Sequence, residues 1–558
     1  WRALDDGSPA PAPSRRLRDF RDILARADQH PNRRYFILKS IIVNNLFGVD
    51  IMKEAVEICQ LRLFLKLVAQ VERVEDIEPL PDIDFNIRAG NSLVGYATAE
   101  QVRQAFKLDR NNQYKLLSTD DQDAMRRFEE KVADVDRLFT LFRRQQTELG
   151  GPVTPEDKAE LRRRLSELED ELNRRLATEY GVDPQQPAAY QKWLASHQPF
   201  HWFVEFYGVV KNGGFDVAIG NPPYVEYSEI RSTYTVHGYE TEGSGNLYAL
   251  TMERVFDCLR ARGRFGLIVP ISSVCTPRMK RLVDILSRRC SSLHVSSYAV
   301  RPGKLFDGAD MNLSIHLGQS SGSSGTCQVF STALQRWYTQ HRPFLFPAHA
   351  GYQRTRFEPG TGRLPRLSGP LDSSIYSRYQ AFPSLSVLLA VSHGDTVYVH
   401  SGGRYFRKCL TERVSNEYKP LQVPVGTKYQ TIALLSANLF YLHWLLTSDT
   451  YHVTKLDVGS FSVPDSALRD DNLGNLGQLL LADLWKHATH RPRLRAGGTQ
   501  QLEANFVVAK SKPIIDEIDR VLAQHYGFND EELDFIINYD IKYRMGDELE
   551  DDDGEVDA

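Results

Sequence analysis

The chain has 558 residues, 42% hydrophobic and 25% charged, which is ample apolar material for more than one domain core. No apolar stretch reaches the roughly 20 residues of a membrane span. The six cysteines (Cys59, Cys258, Cys275, Cys290, Cys327, Cys409) are dispersed without a C-x-x-C pair, so they read as reduced, structural thiols of a cytoplasmic protein rather than a disulfide or zinc framework; no metal site is expected. Net charge is −4, yet eight carboxylates fall between residues 547 and 557, and without them the remainder stands at +4. That balance permits a nucleic-acid partner without demanding one.

The chain opens on Trp1 and runs through a Pro/Ala stretch at 8–13, which reads as the later part of a longer protein. Residues 17–28 read as a short basic helix. Residues 41–51 read as an apolar strand ending near the carboxylate Asp50, and a helix is expected at about 52–70. Residues 85–93 read as a strand closing in a glycine turn at Gly90-Asn91. Strand, helix and strand in this order imply a parallel α/β sheet. Between 100 and 190 the pattern changes to two charged amphipathic stretches, 124–149 and 156–179. The second carries Leu161, Leu165, Leu168, Leu172 and Leu176, and Thr154 with Asp157 can cap it after the break at Gly150-Gly151-Pro152. A narrow, solvated antiparallel helical hairpin inserted into the sheet domain is expected.

The α/β pattern resumes with an aromatic cluster at 200–206 and a strand at 215–219, expected to be buried. A helix near 246–260, a strand at 264–270, a helix at 277–289 and strands near 292–299 and 311–318 follow. The Ser/Gly run 318–325 reads as a boundary. Beyond it the pattern is irregular until helices return from about 466, and the acidic end reads as a solvated, disordered tail.

The most informative residues follow the 215–219 strand. Two prolines in Asn221-Pro222-Pro223-Tyr224 forbid helix or ladder bonding, so the chain leaves the sheet in a stiff loop that presents an amide and a phenol. An amide oxygen beside a rigid carbonyl can accept both hydrogens of an exocyclic amine while an aromatic face stacks on its ring. That suits a planar, amino-bearing substrate such as adenine. Ligands of parallel α/β sheets lie at the carboxyl ends of the strands. Asp50 there suits a ribose diol, though helix capping would explain it as well; Asn91 could bond an adenine edge or serve as a turn residue. His201-Trp202 and Glu205 are tempting acid–base candidates, but read better as packing for the sheet or the loop. Arg354-Thr355-Arg356, Arg404-Tyr405-Phe406-Arg407-Lys408 and Tyr418-Lys419 read equally as nucleic-acid contacts or ordinary solvated surface.

Leu46-Phe47-Gly48-Val49-Asp50-Ile51, Gly90-Asn91-Ser92-Leu93 and Gly213–Tyr224 together resemble motifs II, III and IV of the adenine-N6 DNA methyltransferases. The match is to the large form found in type IIG restriction-modification and phage-exclusion systems. Asn246-Leu247-Tyr248 resembles the start of motif V and Gly263–Pro270 the strand of motif VI, so the resemblance covers about 35–320. It implies a Rossmann-like sheet (1–320, with 100–190 as a helical insertion), then an α+β target-recognition region (321–465), a C-terminal helical region (466–545) and the acidic tail (546–558). It also implies S-adenosyl-L-methionine as cofactor, held by Asp50, Asn91 and Asn246. The catalytic loop would be Asn221, Pro222, Pro223 and Tyr224, acting on a flipped adenine of double-stranded DNA, with partner subunits of a defence system possible and no membrane. Thr251 stands where relatives often have an aromatic residue. The glycine-rich motif I of the family is not found here, so the isolated chain is expected to bind cofactor weakly or not at all. Two other readings stand beside this one: the same chemistry on RNA or a protein glutamine, and a non-catalytic DNA-binding fragment of a defence complex. On any methylating reading Tyr224→Phe is expected to be mild, because the ring matters more than the hydroxyl.

Overall fold

The computed structural model describes residues 15–545 except 75–77, 79, 108–118, 150–153, 323–325, 347–350, 359–360, 390–393, 403–404 and 495–499. The 8–13 stretch, the Gly150–Pro152 break, part of the Ser/Gly run, Arg404 and the acidic tail therefore lie outside the described residues. The chain folds into two compact units. One holds the residues up to Asp216 with 225–242 and 253–260; the other holds 217–224, 243–252 and the residues from 261 onward.

In the first unit, helices α1 (Arg15–Gln29) and α2 (Arg33–Asn45) precede strand β1 (Gly48–Asp50), helix α3 (Lys53–Val68) and strand β2 (Ile87–Ala89). The strand expected over 41–51 is thus helix as far as Asn45 and strand only at Gly48–Asp50. An apolar run of this length fits a buried helix as well as a strand, and tertiary contacts choose between them. The Asn32 side chain accepts from the Tyr35 N–H at the start of α2. At its far end, Asn86 Nδ2 donates to the carbonyls of Val43 (2.8 Å) and Leu46 (3.0 Å), which would otherwise go unsatisfied. Ile42 and Val43 then join Tyr35, Val56, Leu67, Ile83 and Ile87 in the core. Strands β1 and β2 pair in parallel, Gly48 opposite Ile87 and Asp50 opposite Ala89.

Helices α4 (Ala99–Lys107), α5 (Thr119–Arg144) and α6 (Pro155–Glu179) follow. Thr154 and Asp157 form the expected reciprocal cap of α6. The pair is not a free-standing solvated hairpin. The five leucines of α6 are all buried, Phe139 and Phe142 of α5 pack edge-on to Phe85, and the Arg175 guanidinium stacks on Phe106. Ion pairs of Lys158 with Asp84 (2.6 Å) and Arg88 with Glu169 (3.3 Å) tie the charged flank down as well. The dense Arg/Glu pattern indicated solvent on every side because it said nothing of the aromatic residues that α5 and α6 would meet.

The second unit is built on strands β3 (Phe215–Gly220), β4 (Leu259–Pro270), β5 (Cys290–Tyr298), β6 (Leu313–Ser320), β7 (Gln328–Gln335) and β8 (Gln353–Thr355), in the order β3-β4-β6-β5-β7-β8. The first residues of β3 and β4 fall in the other unit. The sheet is mixed: β6 runs antiparallel to β4 and β5, β5 and β7 are parallel, and β8 is antiparallel to β7. Strand β3, expected to be buried, is not. Val217 is 57% and Ile219 83% exposed, because β3 ends the sheet and pairs only with β4 among the described residues.

Strands β9 (Asp395–His400), β10 (Cys409–Leu410) and β11 (Tyr418–Val423) form a small antiparallel sheet, and β12 (Ala488–Leu494) pairs with β13 (Gln500–Phe506) as a hairpin. One hydrophobic cluster runs from Leu367 to Tyr543, across the division at 465 that the sequence suggested. The helices Lys428–Ser436 and Asn438–Thr447 lie inside it, the latter buried at every residue. Their polarity pattern is flat because no face meets water. Gly477 shows how tightly they are held: a Cβ there would come within 2.2 Å of the Tyr429 carbonyl.

Candidate active site

The chain enters β3 through Gly213 and Gly214, both at positive φ. At Gly214 a Cβ would approach the Cys258 carbonyl to 2.5 Å, so only glycine allows this entry. Strand β3 then delivers Asn221-Pro222-Pro223-Tyr224 beyond its end, with Asn221 exposed, Pro222 buried, Pro223 exposed and Tyr224 half-buried. The Tyr224 ring packs with Ile268 and Ile315 against the cluster of Tyr298, Leu305, Leu313 and Trp337. Its hydroxyl lies 2.6 Å from Asn221 Oδ1 and 3.1 Å from the Ile268 carbonyl of β4. A phenol has one proton to donate, and the shorter contact is to Asn221. Burial pushes the Tyr224 phenol up to about 12, so the proton stays on the oxygen at neutral pH. The loop is therefore anchored through the ring, and the hydroxyl orients the amide. The sequence reading gave the ring the larger role and missed this second one.

Asn246, also in the second unit, is buried, and its Oδ1 accepts from the Tyr248 N–H (3.3 Å) at the start of the helix Leu247–Cys258. The Tyr248 hydroxyl lies 3.1 Å from Ser272 Oγ.

In the first unit, Asp50 and Asn91 come to the same end of the β1–β2 pair. Asp50 is the last residue of β1, and its carbonyl accepts from the Gly90 N–H (2.9 Å). Its exposed carboxylate accepts from the Met52 N–H (2.8 Å). Asn91 is buried, and its Oδ1 accepts from the Leu93 N–H (3.1 Å). Asn91 thus serves its turn, and Asp50 makes a local turn bond to Met52 rather than a helix cap; both residues still stand at the carboxyl end of parallel strands.

Two residues that the sequence reading passed over hold the Asn91 turn. Arg254, fully buried, donates to the Tyr239 hydroxyl (2.9 Å) and to the carbonyls of Leu93 (3.2 Å) and Gly95 (3.1 Å). The Tyr239 hydroxyl in turn donates to the Leu93 carbonyl (2.7 Å). Next to Arg254, the Glu253 carboxylate accepts from the Glu240 N–H (3.0 Å), the Thr241 N–H (2.9 Å) and the Thr241 hydroxyl (2.7 Å). A Glu-Arg pair inside an otherwise apolar helix was the available signal, since charges in such a place are kept only where they are satisfied.

His201 and Glu205 belong to the framework. The Tyr96 N–H donates to His201 Nδ1 (3.2 Å), which leaves Nε2 to donate to Asn173 Oδ1 (3.0 Å). Burial lowers this imidazole to about 3, so it stays neutral. Glu205 is buried, burial raises its carboxyl well above the usual range, and it faces Arg88 at 2.7 Å. Phe200, Trp202, Phe206, Phe215 and Phe47 form the packed aromatic group around them. All six cysteines are free. Among the described residues no group of three His, Cys, Asp or Glu side chains is placed to hold a metal ion, and no helix is long and apolar enough to cross a membrane.

Residues 44–296 match the family model of the Eco57I restriction-modification methylase. A putative type II restriction enzyme and methyltransferase of Methanocaldococcus jannaschii is 29% identical over 221 residues, covering 33% of this chain and 18% of that protein. Among solved structures, the type IIL restriction-modification enzyme MmeI in complex with DNA aligns with 95% of this chain and 78% of its own, at 10% identity and a TM-score of 0.35. The type IIG restriction endonuclease BpuSI aligns with 95% and 80%, at 12% identity and a TM-score of 0.23. Scores this low carry no argument. The segment 44–296, which contains Asp50, Asn91, the Asn221–Tyr224 loop and Asn246, is similar to the Eco57I restriction-modification methylase, and that match covers just under half of the chain.

Proposed function

We propose that this chain carries the modification activity of a restriction-modification system, transferring a methyl group to adenine N6 at a specific site in DNA. The observation that carries the reading is the Tyr224 hydroxyl held 2.6 Å from Asn221 Oδ1 at the exposed end of β3. Adenine N6 is a weak nucleophile because its lone pair is delocalised into the ring. Asn221 Oδ1 and the Pro222 carbonyl, accepting one hydrogen each, would draw the amine toward a pyramidal form with its lone pair directed outward. Orientation of this kind lowers a barrier by several kcal/mol, up to about 7–11 in ideal cases. Residues 1–320 would form the catalytic part with 100–190 as its insertion, 321–465 the target-recognition region and 466–545 a C-terminal module.

S-adenosyl-L-methionine, when bound, supplies the methyl group. The residues present fit its adenosine end: Asp50 offers an exposed carboxylate for a ribose diol, beside the Gly90-Asn91 turn at one end of a parallel strand pair. Arg254 and Tyr239 would position that turn, and Asn246, at its helix start, would be a further contact for the cofactor. The double-stranded DNA target must extrude its base to reach the loop, at a cost of about a few kcal/mol.

The test is incorporation of labelled methyl from the cofactor into duplex DNA, RNA and a glutamine-bearing protein, followed by nucleoside analysis. Measured on the full-length protein, N6-methyladenine in DNA supports the reading; label in RNA or protein alone, or in no substrate, rejects it. The geometry also revises the expectation for Tyr224→Phe. Losing a hydrogen bond worth about 0.5–1.5 kcal/mol should lower kcat roughly three- to tenfold with KM little changed. A kcat equal to wild type would show that the hydroxyl does not position Asn221.

A further inference from the structure

The second unit contains a cavity of about 1000 Å³, and strand register places it at the opposite end of the sheet from the Asn221 loop. Tyr224 bonds the Ile268 carbonyl near the finish of β4. Pro270 there pairs with Leu313, Leu313 with Tyr298, and Tyr298 with Gln335. The loop therefore belongs to the end where β4, β5 and β7 finish. The cavity is lined by Gln328 and Val329, where β7 begins. Across the eight residues of β7, the two ends lie about 23 Å apart at the usual strand rise.

The chemistry of the walls is one-sided. Arg354 on β8, Arg356 and Lys455 all line the cavity, and the side chains of the three have no hydrogen bond or ion pair among the described residues. The carboxylate on the wall, Glu358, is already engaged: it accepts the Tyr376 hydroxyl on one oxygen and the Thr361 hydroxyl (2.7 Å) on the other. Ser377 and Gln380 add uncharged donors. A volume at the upper end of small-ligand sites, three cations without ion pairs against a single hydroxyl-bound carboxylate, and neutral donors together match an oxygen-rich anion larger than a single phosphate. We propose that this cavity binds phosphate esters at a site separate from the methyl-transfer loop. Two sources carry that chemistry, a free nucleoside triphosphate and the backbone of a nucleic-acid strand.

Cys327 lines the same cavity and reports on its occupancy. A hydrogen bond from the neighbouring Cys290 thiol pulls Cys327 below its ordinary range, so it should alkylate readily when the cavity is open. The experiment follows alkylation of the Cys327 peptide by mass spectrometry in the full 558-residue chain. The probes are ATP, inorganic tripolyphosphate and a 20-nucleotide single-stranded DNA, each also tested on the exposed triple variant Arg354→Glu, Arg356→Glu, Lys455→Glu. At least fivefold protection that vanishes in the variant, whose melting curve should match wild type, is the expected result. Protection by ATP and tripolyphosphate assigns a free nucleotide, and protection by the oligonucleotide alone assigns a strand backbone. No protection by any probe, or protection that survives charge reversal, overturns the proposal. Asn221→Ala should retain full protection, so this result stands or falls independently of methyl transfer.

Discussion

In the full-length protein, Asn221→Ala is expected to abolish methyl transfer, by a hundredfold or more, while the fold and DNA affinity stay close to wild type. Removing one preorganised hydrogen-bonding group at a reacting centre costs about 10²–10³ in kcat in well-studied enzymes, and here the lost group is an acceptor for the reacting amine. Stability should hardly change. Asn221 is exposed, surface substitutions usually fall within about 0.5 kcal/mol, and the Tyr224 hydroxyl can turn its proton to the Ile268 carbonyl, already 3.1 Å away. Methyl incorporation and a thermal melt, measured on the same preparation, check both halves. Activity within tenfold of wild type would sink the assignment of the loop, and a large fall in melting temperature would mean that lost activity reports unfolding.

Arg363→Ala should have the largest effect on stability, a loss of about 3–5 kcal/mol. Arg363 and Asp457 form an ion pair at 2.7 Å with side chains only 3% and 2% exposed. Asp457 also caps the helix Lys455–Ser460, its other oxygen accepting from the Thr454 N–H (2.7 Å) and hydroxyl (2.6 Å). Removing the guanidinium leaves a buried carboxylate whose remaining partners are neutral. Pairing Arg363→Ala with Asp457→Asn should recover part of the loss, because the stranded charge is then gone. Urea unfolding of the two variants and wild type provides the comparison. A single-variant loss below 1 kcal/mol would show that water or rearrangement already satisfies Asp457.

The stiff Asn221–Tyr224 loop was legible because its signals are local: an apolar run sets a strand, and two prolines end it in a fixed conformation. Asp50 and the Gly90-Asn91 turn were legible for the same reason, each following its own strand. Local signals did not reach further. The first part of the run 41–51 belongs to helix α2, whose last carbonyls are bonded by Asn86, 40 or more residues away. Strand β3 is exposed despite its apolar residues because its place in the sheet order, not its composition, sets what covers it. The role of the Tyr224 hydroxyl depends on a contact that no spacing rule predicts, and Arg254 holds the Asn91 turn from more than 150 residues away. The cavity draws its walls from β7, β8, the Pro370–Tyr379 helix and the Lys455–Ser460 helix, segments with no common pattern along the chain. What the sequence determined by itself is the local shape of the Asn221–Tyr224 loop and its place beyond a strand, because backbone restriction acts between neighbours. Only tertiary structure decided which side chains orient that loop and where the cations without ion pairs gather, because burial and pairing are set by residues far apart in the chain.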